Sequence, residues 1–513
     1  MAVVEKERKS MWSKSDAINL LILISIASLL GVYLISTAVL ISKDGVFYIE
    51  RAQQFPSNPV GIIKAHPPGY PFLIFIAHKF AGLFSNSSSA QSWIYSAQSI
   101  TLLCRLLALT ALYFIGKILV GSRKSFWAVF ILIILPYPAR FGSDVLRDWP
   151  YILFLGAGFL SLLLGAKQSK WWMFGVTGLV AGFGHIVRPE CVQLVIYGVL
   201  WLLIILFRPR CNMSRTKALC GLLALLAIFS ICAFPYVKIR GRVLPAQLEE
   251  MLDFPRRVQP DKPAADSFDY SNNIYKAGSI LGNTVKAIGE LFKEVSENLM
   301  YFFMPVLLIG LYIRFQKKRL LTEPEGFFEV VFLLFNILML ILLHFDRGYI
   351  SGRHCLALVI LLAFYLPGGL EVLAALLEKK HPLNKQKESK PAGIRLNWFW
   401  ILVFTGTVIC LPKLLTPLRI EKQAYRAAAQ WIKENSNSED VVLSPDHRIN
   451  FYAERKMGEF SGGDIPNDVK YIVKKFKRQE EVLSYGSKIS RRFSLLKQWQ
   501  SKNTVIAVYG LVN

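Results

Sequence analysis

The stretch Lys64–Leu73, KAHPPGYPFL, follows a long apolar run and opens another. A residue ahead of a proline is pushed out of the helical region, so His66 is expected to be extended. Pro67 and Pro68 suit the first turn of a new helix. The run that follows, PFLIFIAHKFAGLF (71–84), is too short to cross a bilayer and has the length of an interfacial segment. An apolar helix lying along a membrane implies neighbours that cross it, and such neighbours fill most of the chain.

Of 513 residues, 53% are hydrophobic, and the mean hydropathy is +0.39. The apolar residues cluster in runs long enough to span, and helices satisfy every spanning backbone group internally. Eleven transmembrane helices are predicted, at about 18–41, 93–119, 125–140, 150–166, 171–187, 190–207, 217–237, 299–314, 327–345, 354–376 and 397–416. The fold class is an all-α polytopic membrane protein with a small α/β C-terminal domain. Residues 1–416 are expected to form the membrane domain, with outer loops 43–92 and 239–297, and residues 417–513 the second domain.

The net charge of +25 suggests nucleic acid at first sight. Its distribution argues against that. GSRKS (121–125), KQSK (167–170), RPRCNMSRTK (208–217), RFQKKRL (314–320) and EKKHPLNKQKESKPAGIR (378–395) are short basic loops that fall on one side. This is the positive-inside pattern and predicts a cytoplasmic N-terminus, preceded by Lys6, Arg8, Lys9 and Lys14, with the tail outside a cell membrane. The first run is too long for a cleaved signal. Seven cysteines lie in apolar runs or basic loops without CxxC spacing, which leaves disulfides and structural zinc unsupported.

The outer side carries the larger segments. Ile280, Leu281, Val285, Ile288, Leu291, Phe292, Val295 and Leu299 recur at helical spacing, which fits a helix on the bilayer surface or one packed on the tail domain. The tail, from YRAAAQWIKEN to NTVIAVYGLVN, reads as helix, turn, short strand, short helix or turn, and a final strand.

Charge on the outer side is concentrated in short turns. DGVFYIERAQQFP (44–56) puts Asp44, Tyr48 and Arg51 on one helical face. FGSDVLRDWPY (141–151) holds Asp144, Arg147 and Asp148, where an internal Asp–Arg pair would also fit. GHIVRPEC (184–191) holds His185, Arg188 and Glu190, and HFDRGYISGRHC (344–355) holds His344, Asp346, Arg347, Arg353 and His354. Charges this close to hydrocarbon are costly and point to function. Four such clusters on one side argue for a shared site. His66, on its elbow, is expected to face whatever the Asp44 stripe faces.

These residues resemble the polytopic GT-C glycosyltransferases, in particular bacterial family 39 enzymes related to protein O-mannosyltransferases and to the aminoarabinose transferase of lipid A. The matching stretches are DGVFY after the first span, HPPGYP, RDWPY, RPE and YISGRH, within residues 15–420. The resemblance implies inverting transfer of a sugar from a polyprenyl-phosphate donor to an acceptor hydroxyl of a glycan, lipid or protein, at the outer face. It implies Asp44 as general base, Asp148 as the second acidic residue, His66 facing the donor phosphate and Arg353 holding it. Tyr48, Arg188, Glu190 and Tyr349, in the same stretches, complete the candidate substrate-binding set. The chemistry agrees. The attacking hydroxyl loses a proton to a carboxylate. The leaving phosphate needs cations and no general acid. A divalent metal is compatible with these residues but not required by them, and no metal ligands are assigned. The chain departs from the family at Gly45, where several relatives carry a second acid, at His354, where tyrosine is usual, and at Phe47, where the aminoarabinose enzyme has arginine. Three other readings fit a polytopic chain: an oligosaccharide ligase or polymerase with a diphosphate-linked donor, a lipid-linked-glycan transporter, and a non-catalytic scaffold built on the same fold. The second calls for polar residues near the bilayer midplane.

Overall fold

The computed structural model describes residues 12–84, 89–207, 213–241, 280–316, 323–381, 397–458, 465–490, 492–501 and 504–512. Lys6, Arg8 and Lys9, most of the segment 239–297 and large parts of three basic loops lie outside these residues.

Helix α1 (Lys14–Ser36) opens with a capping box, in which the Ser13 side chain accepts from the Asp16 N–H and the Asp16 carboxylate accepts from the Ser13 N–H. It ends earlier than the apolar run does. Val39, Leu40 and Ile41 are apolar because they pack against the C-terminal domain, not because they meet lipid. Three short helices follow along the surface: α2 (Lys43–Gln54), α3 (Pro59–Ala65) and α4 (Gly69–Gly82). His66 caps α3 in extended geometry, φ −150° and ψ 161°, as the following proline demands. Along α4, Phe72, Ile76 and Phe80 form an exposed apolar stripe, continued by Leu83 and Phe84. That pattern suits a helix half-sunk in the interface.

The membrane body comprises α5 (Ala90–Val120), α6 (Ser122–Ile134), α7 (Pro136–Phe141), α8 (Asp148–Gln168), α9 (Trp171–Val187), α10 (Gln193–Phe207) after a 3-10 turn at Pro189–Val192, and α11 (Arg215–Arg240). It continues with α12 (Ile280–Asn298), α13 (Phe303–Phe315), α14 (Pro324–Arg347), α15 (Leu356–Ala363), α16 (Leu366–Lys380) and α17 (Trp398–Leu415). All eleven apolar runs are helical. Among the described residues seven helices are long and apolar enough to cross a membrane, and nine if two bent pairs each count as one. The pair α15–α16 bends by 48°, with Pro367 in the first turn of α16. The pair α12–α13 turns through 110° at Met300 and Tyr301, both at positive φ. Two predicted spans fall outside that count. One is α9, only 17 residues long. The other is α6–α7, broken where Pro136 can donate no hydrogen bond.

Helix α12 is amphipathic on both counts. Leu291, Val295 and Leu299 join the core of α13 to α17, while Val285, Ile288 and Phe292 remain exposed. Its partner is the membrane body and not the C-terminal domain.

The C-terminal domain holds α18 (Gln423–Asn435), β1 (Val441–Leu443), α19 (His447–Ala453), β2 (Lys456–Met457), β3 (Val469–Phe476), α20 (Gln479–Ile489), β4 (Phe493–Ser501) and β5 (Thr504–Leu511). The sheet order is β2-β1-β3-β5-β4, parallel from β2 through β3 and antiparallel beyond. Strand alternation sorts the core. Val505, Ala507 and Tyr509 face α20. Ile506 and Val508 face α18 and α19, in a core that continues into Val46 and Ile49 of α2 and Tyr70 of α4. The C-terminal domain and the surface helices therefore share one hydrophobic core.

Candidate active site

Asp44 stands in the first turn of α2. The Ser42 side chain caps that turn by accepting from the Gly45 N–H at 2.9 Å. Gly45 has no room for a side chain: a Cβ there would lie 2.8 Å from Val145 Cβ and 3.1 Å from the Val145 carbonyl oxygen. A second acid after Asp44 is thus excluded sterically. Asp148 opens α8, where a carboxylate suits the helix N-terminus. Arg188 is held extended between α9 and the turn that Pro189 begins. Arg353 and His354 sit in the turn between α14 and α15, which starts at Gly348 with φ 74°.

These four places converge on one cavity of about 200 Å³. Across it runs a row of alternating charge. Arg353 Nη1 donates to Asp44 Oδ2 at 2.7 Å, and Arg353 Nε lies 3.7 Å from Asp148 Oδ2. Arg188 Nη1 donates to Asp148 Oδ1 and Arg188 Nε to Glu190 Oε1, each at 3.0 Å. The Arg188 guanidinium also lies over the Tyr151 ring, 4.8 Å from its centre. Burial opposes charge on both arginines, but their carboxylate neighbours outweigh it and hold both guanidinium groups above their ordinary pKa. Burial, with Arg188, Arg353 and Arg347 nearby, pushes His354 down to about 3, so it lines the cavity as a neutral imidazole. Burial also raises the Tyr48 phenol, which stays protonated beside Asp44.

Among the described residues four arginines (147, 188, 347 and 353) and three carboxylates (44, 148 and 190) line the cavity. Arg147 has no hydrogen bond or ion pair there. Asp144, one of the two acids open to an internal pair in that turn, pairs instead with Arg419 at 2.5 Å. No group of three or more His, Cys, Asp or Glu among the described residues is placed to hold a metal ion.

Of the sequence candidates, Asp44, Tyr48, Asp148, Arg188, Glu190 and Arg353 line the cavity, whereas His66 and Tyr349 do not. Phe47 meets the His66 ring edge-on, with ring centres 4.6 Å apart. Arg51 lies over the same Phe47 ring, 5.0 Å from its centre, and does not line the cavity with Asp44 and Tyr48. Tyr349 is half-exposed. Burial, with Arg51, Arg240 and Arg147 nearby, lowers the His66 pKa.

Sequence reasoning missed the polar floor. Gln193 Nε2 donates to the Tyr151 hydroxyl at 2.7 Å, and Gln193 Oε1 accepts from Tyr197 at 2.7 Å and from Asn336 at 3.0 Å. Gln193 and Asn336 are isolated polar residues in apolar spans, and that isolation is the signal that could have found them. Beyond Ile152 and Ala357 the cavity meets an apolar crevice lined by Leu155, Phe159, Phe332 and Ile360.

Residues 65–233 match the dolichyl-phosphate-mannose-protein mannosyltransferase family. No curated protein matches the chain in sequence. Among solved structures, ArnT from Cupriavidus metallidurans bound to undecaprenyl phosphate superposes with a TM-score of 0.56 at 12% identity, over 97% of this chain and 98% of that one. The apo oligosaccharyltransferase of Archaeoglobus fulgidus gives 0.55 at 14% identity, over 91% and 70%. The AglB oligosaccharyltransferase of that organism, with an inhibitory peptide and a dolichol-phosphate, gives 0.53 at 15%, over 98% and 74%. With its helical membrane body, its small C-terminal sheet and a mannosyltransferase match over residues 65–233, the chain has the GT-C fold that it shares with ArnT and AglB.

Proposed function

We propose that the chain is a membrane glycosyltransferase that moves a sugar, with inversion, from a polyprenyl-phosphate donor to an acceptor hydroxyl on the side of the membrane bearing the C-terminal domain. One observation carries this reading: a single cavity sets the Asp44 carboxylate beside an excess of arginines. Asp44 takes the proton of the attacking hydroxyl. Arg353, Arg188, Arg147 and Arg347 stabilise charge developing on the leaving phosphate. Asp148 and Glu190 orient Arg353 and Arg188. One carboxylate with a cationic cradle differs from the two-carboxylate arrangement of glycoside hydrolysis. The basic loops support an N-terminus in the cytoplasm and a C-terminal domain outside. The match to ArnT bound to undecaprenyl phosphate favours a monophosphate donor.

The test is transfer in membranes from a panel of radiolabelled polyprenyl-phosphate sugars, with wild type and Asp44→Asn. One sugar transferred by the wild type and lost in the variant supports the assignment. No transfer from any monophosphate donor sinks it and moves the test to diphosphate-linked oligosaccharides.

A further inference from the structure

Between α1 and α2 the chain passes through a buried strap, Leu40, Ile41 and Ser42, immediately ahead of Lys43 and Asp44. Its backbone groups are held mostly from the far end of the sequence. The Leu418 carbonyl accepts from the Val39 N–H at 3.1 Å. Arg419 Nη1 donates to the Leu40 carbonyl at 3.2 Å. The Tyr452 hydroxyl accepts from the Ile41 N–H at 3.0 Å, and Arg448 Nη1 donates to the Ile41 carbonyl at 3.1 Å. Asp144 Oδ1 accepts from the Ser42 N–H at 3.0 Å, and its other oxygen takes Arg419 Nη2 at 2.5 Å. Arg448 is itself locked by Asp446 through bonds of 2.9 and 2.7 Å.

None of these side chains lines the cavity, so none touches a substrate there. A buried polar network of this kind, with its donors and acceptors matched, specifies geometry more than it adds stability. The geometry it specifies is the launch of α2, whose first turn carries Asp44. We propose that the C-terminal domain is a positioning element for Asp44: Arg448 and Tyr452 directly, and Arg419 both directly and through Asp144, fix the strap and with it the direction in which the carboxylate leaves α2. The inference rests on Asp44 being the base of the proposed transfer. The C-terminal domain is then a part of the catalytic geometry, beyond any role as a cover or acceptor platform.

The test uses the full-length protein in detergent, with Tyr452→Phe, Arg448→Ala and Arg448→Lys. Hydrogen exchange of the Ile41–Gly45 amides, kcat and donor KM are measured together. Tyr452→Phe removes one oxygen and keeps the packing, so it remains informative even if Arg448→Ala fails to fold. Expected is faster exchange in the strap and a kcat about tenfold lower, with donor KM within about twofold of wild type. Arg448→Lys, which keeps a donor for Ile41, recovers part of the loss, and Tyr452→Phe adds nothing on an Asp44→Asn background. Strap exchange and kcat at wild-type levels in Tyr452→Phe and Arg448→Lys, in a wild type that transfers sugar, overturn this inference alone. So does a raised acceptor KM with unchanged exchange, which assigns the domain to acceptor binding. A wild type that transfers nothing overturns the transferase reading and this inference with it.

Discussion

Arg353 Nη1 donates to Asp44 Oδ2 at 2.7 Å, across 309 residues of sequence. The carboxylate proposed to take a proton and the cation proposed to hold a phosphate are thus partners before substrate arrives. On the proposed function, an incoming phosphate competes with Asp44 for Arg353, and its binding releases the base.

Asp44→Asn should therefore do two opposite things. Turnover should fall by about 10²–10⁴-fold, the usual worth of a positioned base. Affinity for polyprenyl phosphate should rise by about two- to fivefold, the range for a half-exposed ion pair. Transfer assays and lipid-binding titrations on the same preparation check both. A variant that loses binding along with turnover contradicts the competition.

Arg188 is a different case, because its pairs are buried. Its side chain is 16% exposed and that of Asp148 5%. Arg188→Ala leaves Glu190 without its partner and Asp148 with only the longer contact to Arg353 at 3.7 Å, and should destabilise the protein by about 3 kcal/mol. Arg188→Gln combined with Asp148→Asn and Glu190→Gln removes all three charges and should recover much of that stability without activity. Thermal unfolding in detergent is the measurement.

Arg147 lines the cavity without an ion-pair partner among the described residues. Its removal strands no buried acid. Arg147→Ala should unfold at the wild-type temperature and raise donor KM about tenfold, or ~1.4 kcal/mol of lost phosphate contact. A drop in melting temperature without a change in KM would assign it to the scaffold.

His66 stands behind Phe47 and outside the cavity, so His66→Ala should change donor affinity by no more than about twofold. A tenfold loss in a lipid-binding titration would place the phosphate on the His66 side of α2.

His447 Nε2 meets Glu50 Oε1 at 2.9 Å, tying α19 to α2. The bond to Glu50, against the opposing effect of burial, raises the histidine's pKa above its ordinary value, with Asp446 acting in the same direction. The tie is complete below about pH 6.5 and is lost as pH rises through the raised folded value. Protease resistance of the C-terminal domain should therefore decline as pH rises above about 6.5, and His447→Gln should flatten that decline. An equal slope in both proteins removes His447 from the cause.

Hydropathy made the helices legible, and the clustering of charge on one side made the site legible. The breaks were only partly so. Pro136 is a visible signal, yet the span expected at 125–140 runs straight through it, whereas Met300 and Tyr301 adopt positive φ without a glycine to mark the turn. The partners of charges were not legible, because local sequence offers the nearest acid and the fold offers another. Asp144 pairs with Arg419, 275 residues away, and not with Arg147. Val39, Leu40 and Ile41 read as the end of a span because burial against protein and burial in lipid demand the same side chains. Gln193 and Asn336 were passed over because hydropathy averaging hides a single polar residue in an apolar run.

The HPPGYP stretch meets two walls of the cavity without entering it. Gly69 lies so close to the end of α9 that a Cβ would stand 2.9 Å from the Val187 nitrogen, one residue from Arg188. Tyr70 is fully buried, shares a hydrogen bond with Thr101 at 2.7 Å and sets its ring edge-on to Tyr48 at 5.1 Å. The two prolines hold a glycine and a tyrosine in register, one against the turn that aims Arg188 and the other against the helix that carries Asp44. The motif is thus a spacer gauge: it sets the width of the chamber and leaves its chemistry to residues elsewhere. Finding it in another chain would forecast the dimensions of a cavity before it forecast what that cavity transfers.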